Sequence, residues 1–149
     1  MIYLVDTNVL LRFLFRADPE YTAIRAAVRI LKARGDETFA TLQNISEFWN
    51  VLTRPATVRG GYGLSITEAQ YRLKFIERHF RVLPDPPSIY AEWKQIVISH
   101  SVKGVQVHDA RIAALMKAHG IPRILTLNKS DFLRYKFVTA FDPHDISGI

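Results

Sequence analysis

The chain of 149 residues contains no cysteine. Disulfide staples and thiolate metal sites are thereby excluded, and an intracellular setting is compatible with the composition. No run of about 18 apolar residues exists, so a membrane-spanning helix is not expected. Low-complexity blocks and internal repeats are also missing, which argues against a solenoid or a disordered tail. The first apolar run is not preceded by basic residues. It is interrupted by Asp6, Asn8 and Arg12, and no small-residue cleavage site follows it. A secretory signal is therefore not expected, and the expected location is the cytoplasm.

What remains is an ordinary globular composition with a basic bias. Apolar residues make up 48% of the chain, and 20 Lys and Arg against 14 Asp and Glu leave a formal charge of +6. The length predicts one domain spanning 1–149, enough to bury a single hydrophobic core. The charge favours a polyanionic partner such as nucleic acid, because Lys and Arg that meet phosphates release condensed counterions.

Short apolar segments alternate with longer helical patterns. Ile2 to Val5 reads as a buried strand, and the segment 8–15 has helical spacing. A clearer helix covers 19–35: Pro19 suits its first turn, Ala23, Ala27, Ile30 and Leu31 form a stripe, and Gly35 stops it. Strands are expected in 38–42, 81–85, 123–127 and 136–142. Helices are expected in 44–55, 66–80 with Thr67 as the cap, 88–102 and 108–120. The segment 56–65 reads as a glycine-rich loop. Strands alternating with helices predict an α/β domain with a largely parallel sheet. In such sheets, ligands bind beyond the carboxyl ends of the strands.

Four acids fall at those ends. Asp6 follows the first strand, Glu47 lies one helical turn after the second, Asp109 is in the first turn of its helix, and Asp131 lies just after the strand "RILTL". Each has a local explanation. Asp6 can cap a helix, Asn44 and Glu47 have capping-box spacing, Asp109 is favoured by a helix dipole, and Asp131 can close a turn from Asn128. Four carboxylates from four separate segments are harder to explain one by one. Brought together they would repel unless a cation neutralised them, and an all-oxygen donor set suits Mg²⁺ or Mn²⁺. The chemistry that follows is metal-assisted phosphodiester hydrolysis.

The segments "YLVDTNVLLRF", "NISEFWNVLTRP", "HDARIAALMKAHG" and "ILTLNKSDF" resemble, in order and spacing, the motifs of PIN-domain ribonucleases, and most of all VapC-type toxins of toxin–antitoxin pairs. The resemblance implies a three-layer α/β/α sandwich with a central, mainly parallel sheet. It implies a Mg²⁺- or Mn²⁺-dependent endoribonuclease selective for single-stranded RNA, a homodimer, and a small antitoxin that blocks the site. By motif position, Asp6, Glu47 and Asp109 correspond to the family's core acids and implied metal ligands. Thr7 and Asn8 match residues that orient the first acid and the nucleophilic water. The fourth place is open between Asn128, where many relatives carry Asp, and Asp131, which matches the family's Asp-Phe. Arg111 matches a common family residue, and Arg59, Arg111 and Lys129 are candidates for RNA phosphates, with Arg54 and Arg134 nearby.

Two other classes compete. A PIN-fold binding module would keep the fold and act through RNA or an antitoxin without cleavage, but the complete set of Asp6, Glu47 and Asp109 argues against it. A phosphoacceptor signalling domain wants adjacent acids after its first strand and a Lys after its last, and the segment order fits poorly.

Overall fold

The computed structural model describes residues 1–149. Its elements, in chain order, are β1 (Ile2–Val5), α1 (Thr7–Arg12), α2 (Tyr21–Ala33), β2 (Glu37–Thr41), α3 (Leu42–Thr53), α4 (Ile66–His79), β3 (Arg81–Leu83), α5 (Ile89–Ser99), α6 (Val107–Ala118), β4 (Arg123–Leu125), β5 (Thr139–Phe141) and α7 (Pro143–Ser147), with 3₁₀ turns at Gly104–Gln106 and Lys129–Phe132. The five strands form one sheet in the order β3-β2-β1-β4-β5. Every pairing is parallel.

Because successive side chains of a strand point to opposite faces, β1 feeds two cores. Tyr3 and Val5 join a cluster with Val9 and Leu10 of α1, Ile24 and Leu31 of α2, Phe48 and Leu52 of α3, and Ile76 of α4. Leu4 faces the other way, into a cluster with Phe39, Ile96 of α5, and Ala113 and Met116 of α6. Helices on both faces of a parallel sheet give the three-layer α/β/α sandwich, and Leu4, Val5 and Ala40 are fully buried at its centre. No helix is long and apolar enough to cross a membrane.

β1 is the central strand. The chain leaves it for β2 on one side and reaches β4 on the other, so the strand order reverses between β1 and β4. A crevice opens at the carboxyl edge of such a switch point, because the connections there run in opposite directions. Asp6 and Thr126 immediately follow the two strands that flank it.

Several local expectations are corrected. The cap of α4 is Ser65, whose hydroxyl accepts from the Glu68 N–H, not Thr67. The capping box of α3 is Thr41 with Asn44, not Asn44 with Glu47. The helix starts two residues earlier than its apolar spacing indicates, and Thr41, already the last residue of β2, supplies the capping oxygen. Glu47 sits in the second turn and takes no part in capping. The first helix stops at Arg12, well short of 15. The terminal helix α7, with an Asp142–Asp145 capping box and Pro143 in its first turn, was not expected and packs on α2. The loop 54–64 is folded tightly: a Cβ on Gly61 would lie 2.5 Å from the carbonyl oxygens of Arg54 and Pro55.

Candidate active site

Asp6 is the N-cap of α1 and stands at the carboxyl edge of the sheet. Its Oδ1 accepts from the Thr7 N–H at 2.7 Å, which closes the first turn of α1. Its Oδ2 accepts from Asn8 Nδ2 at 2.9 Å and from the Thr126 hydroxyl at 2.7 Å. The carboxylate is thus gripped from α1 and from the residue that follows β4 at once. Thr126 is fully buried, and nothing in its sequence neighbourhood marks it; only the parallel pairing of β1 with β4 brings it to Asp6.

Thr7 links the second acid. Its hydroxyl donates to Glu47 Oε2 at 2.8 Å and accepts from Asn44 Nδ2 at 3.3 Å. Glu47 Oε1 accepts from Gln43 Nε2 at 2.9 Å. Asn44 also ties Thr41, so one buried polar network joins the ends of β1 and β2. Asn8 Oδ1 accepts from the Leu127 N–H, which pins the segment after β4.

Asp109 and Asp131 approach from the other side. They line a small depression of about 90 Å³ together with Gln106, Ser130, Arg134 and Tyr135. Asp131 stands at its exposed rim on the 3₁₀ turn after β4. Asn128 is also exposed, and its backbone N–H donates to Thr126 Oγ1. The charge of Asp131 bears on both Asp6 and Asp109.

The electrostatics follow from this crowding. Burial, first of all, pushes the Asp6 carboxyl up to about 6; Glu47 and Asp131 push the same way, against the hydrogen bonds from Thr126 and Thr7. Burial also raises Asp109 to about 6, helped by the charges of Asp131, Asp6 and Glu47 and opposed by His108. The chain forms six ion pairs, and none includes Asp6, Glu47, Asp109 or Asp131. The acids therefore repel one another and none is held in an ion pair. They do not converge into a ready-made cage: no group of three His, Asp or Glu side chains is poised around one point as it stands. The donor set is hard oxygen throughout. It suits a cation that keeps several waters, as Mg²⁺ does when one or two carboxylates hold it.

The raised values give a signed expectation for the metal-free protein. A carboxyl whose folded-state pKa is raised contributes stability that is complete below its ordinary value near 4 and is lost as pH rises through about 6. Asp109→Asn removes that loss and breaks no hydrogen bond. Urea melts in chelator should find the variant more stable than wild type at pH 7 by on the order of 1–2 kcal/mol, after discount for partial exposure and for the helix dipole. The difference should close at pH 4. A variant no more stable than wild type at pH 7 would show that burial and the neighbouring acids do not penalise the ionised Asp109.

The basic candidates separate. Arg111 donates to Gln43 Oε1 and to Asp85 Oδ2, so its guanidinium is already engaged inside the fold. Lys129 is paired with Asp145 at 2.7 Å. Arg59 is exposed, in no ion pair, at positive φ in the glycine-rich loop. Arg134 is the one cation lining the depression beside Asp109 and Asp131.

Residues 3–138 match the family model of the PIN domain. The chain is 24% identical over 143 residues to Ribonuclease VapC24 of Mycobacterium tuberculosis, covering 93% of this chain and 94% of that protein. Its fold is similar to a chain in the crystal structure of VapBC2 from Rickettsia felis bound to a DNA fragment from their promoter, with a TM-score of 0.72, 14% identity and 95% and 98% of the two chains covered. It is also similar to a chain of a toxin–antitoxin complex from Klebsiella pneumoniae, with a TM-score of 0.62, 20% identity and 97% and 99% coverage.

Proposed function

The chain belongs to the PIN domain family, and on that premise we propose that it is a metal-dependent endoribonuclease selective for single-stranded RNA, the toxin of a toxin–antitoxin pair. One observation carries the reading: four carboxylates from four separate segments crowd one sheet edge, two of them with raised pKa and none in an ion pair, in a chain whose net charge is +6. A structural role would pair or disperse such acids. A resemblance to a ribonuclease over nearly the whole chain supports the same reading.

In this reading Asp6, Glu47 and Asp109 hold Mg²⁺ or Mn²⁺, with Asp131 as the fourth acid. When bound, such an ion lowers the pKa of a coordinated water and stabilises charge on the phosphoryl oxygens. The chain's own residues supply the placement. Asp6 is fixed by three donors and cannot swing away from the edge of β1. Thr7 spans Asp6 and Glu47, its backbone N–H on one and its hydroxyl on the other. Asn8 orients Asp6 and the segment that leads to Asn128. Arg59 and Arg134 offer charge to RNA phosphates; Arg111 and Lys129 serve the fold first. The partners are RNA, a cognate antitoxin and a second copy of the chain, in a cytoplasmic setting, with residues 1–149 acting as one domain.

The test is cleavage of a mixed cellular RNA pool by the purified protein, free of antitoxin, with Mg²⁺ or Mn²⁺ and with chelator. Discrete fragments that vanish in chelator are expected. A folded protein that cuts nothing with either metal would overturn the enzyme reading and leave a binding module.

A further inference from the structure

Gln43 occupies the first turn of α3, one turn before Glu47, and is 7% exposed. A buried primary amide needs two acceptors on its nitrogen side and a donor on its oxygen side. Gln43 has all of them. Its Nε2 donates to Glu47 Oε1 at 2.9 Å and to the His108 carbonyl at 3.0 Å. Its Oε1 accepts from Arg111 Nη1 at 2.9 Å. The partners permit only one orientation, since the flipped amide would set oxygen against oxygen twice and nitrogen against nitrogen once. Arg111 is in turn held by Asp85 across a second ion-paired contact.

The His108 carbonyl belongs to the peptide unit that joins His108 to Asp109. One side chain therefore grips the Glu47 carboxylate on α3 and the backbone that carries Asp109 on α6. Both side-chain hydrogen bonds between α3 and α6 run through Gln43. A neutral amide does this without adding a cation that would compete for the acids. A lysine at this position could reach the same oxygens but would neutralise Glu47 itself.

We propose that Gln43 is a positioning residue: its amide, locked by Arg111 and Asp85, sets the spacing between Glu47 and Asp109 and so the affinity of the site for a divalent cation. The proposal rests on the metal-dependent ribonuclease reading. Groups that orient metal ligands from behind commonly carry about 10–100-fold of metal affinity or activity.

The experiment compares the wild-type chain with Gln43→Met, which keeps the side-chain length and removes the amide. Mn²⁺ binding is followed by the electron paramagnetic resonance of the free ion, with thermal melting as the fold control. Gln43→Met is expected to bind Mn²⁺ roughly tenfold more weakly. RNA cleavage should fall at limiting Mn²⁺ and recover as Mn²⁺ is raised, which a general loosening of the fold would not produce. An affinity loss below about threefold in a folded variant would overturn the proposal. If the wild type binds no Mn²⁺, the ribonuclease reading fails, and the clamp is then judged by hydrogen exchange of the Gln43 side-chain amide. Protection in the wild type that is lost in Arg111→Ala supports the clamp; exchange at the solvent rate in the wild type overturns it.

Discussion

Asp6→Asn should abolish metal-dependent RNA cleavage while leaving the protein folded. The fold side of the expectation follows from the bonds. Asn keeps an oxygen for the Thr7 N–H, so the cap of α1 survives. The other position changes from acceptor to donor, where Asn8 Nδ2 and the Thr126 hydroxyl both point. The Thr126 hydroxyl already accepts from the Asn128 N–H and, at 3.3 Å, from Asn8 Nδ2, so it takes the new donor by giving up the longer of the two. The Asn8 amide cannot flip without losing the Leu127 N–H. The net loss is about one hydrogen bond, on the order of 1 kcal/mol. Against it stands the removal of a buried carboxylate whose ionisation is resisted up to about 6. The melting temperature in chelator should therefore stay within a few degrees of wild type. The chemical side is different in scale. An amide is a weak ligand for a hard cation, and Asp6 is the most rigidly held of the four acids. Loss of cleavage by at least a thousandfold, roughly 4 kcal/mol in the barrier, is expected at saturating Mn²⁺. Melting curves and initial rates on one RNA fragment check both halves. A variant that unfolds would return Asp6 to a structural role, and one that cuts at the wild-type rate would remove it from the mechanism.

The order of strands and helices was legible because it rests on local pattern: apolar runs too short for helices, longer stripes with period near 3.6, and stops at Gly35, Gly120 and Pro55. The parallel sheet follows from that alternation, and the three layers from the resemblance to the PIN domain. The places where local reading failed share a cause. Helix starts at Leu42 and Ile66 depend on which hydroxyl points back at the first turn, and Thr41 and Ser65 compete with equally suitable neighbours in sequence. The helix α7 is five residues long, below the length at which a periodic stripe can be read. For the site, the acids were legible as a pattern of strand-end carboxylates, and their mutual crowding is what the structure adds. Thr126 and Gln43 were not legible. Each looks like an ordinary polar residue beside an apolar run, and its partner is 120 or 65 residues away. The bonds of Arg111 to Asp85 and Gln43 were not legible either, because a guanidinium on the first turns of a helix looks free until the fold brings those partners to it.

The choice between Asn128 and Asp131 for the fourth position yields the second large effect. Asp131→Asn is expected to lower cleavage by about a hundredfold, near 3 kcal/mol, and Asn128→Ala by only a few-fold. Both residues are exposed on the segment after β4, so neither variant threatens the core. They differ in what they face. Asp131 shares the depression with Asp109, and after burial its charge is the largest influence raising the Asp109 carboxyl. Asn128 contributes its backbone N–H to Thr126, a bond that Asn128→Ala leaves intact. The same geometry supplies a control without substrate. If Asp131 faces Asp109, its neutralisation removes a like charge, and the Asp109 carboxyl of the metal-free protein should titrate lower in Asp131→Asn than in wild type. Carboxyl-carbon NMR across pH 4 to 8 reads that shift directly, with the Asn128→Ala protein as the reference that should not move. Loss of cleavage in Asn128→Ala with an unshifted Asp109 in Asp131→Asn would reverse the assignment and place an amide, not a fourth carboxylate, at the site. A site with three carboxylates carries one negative charge fewer toward a second cation, so the outcome also decides how strongly the protein can hold two ions at once.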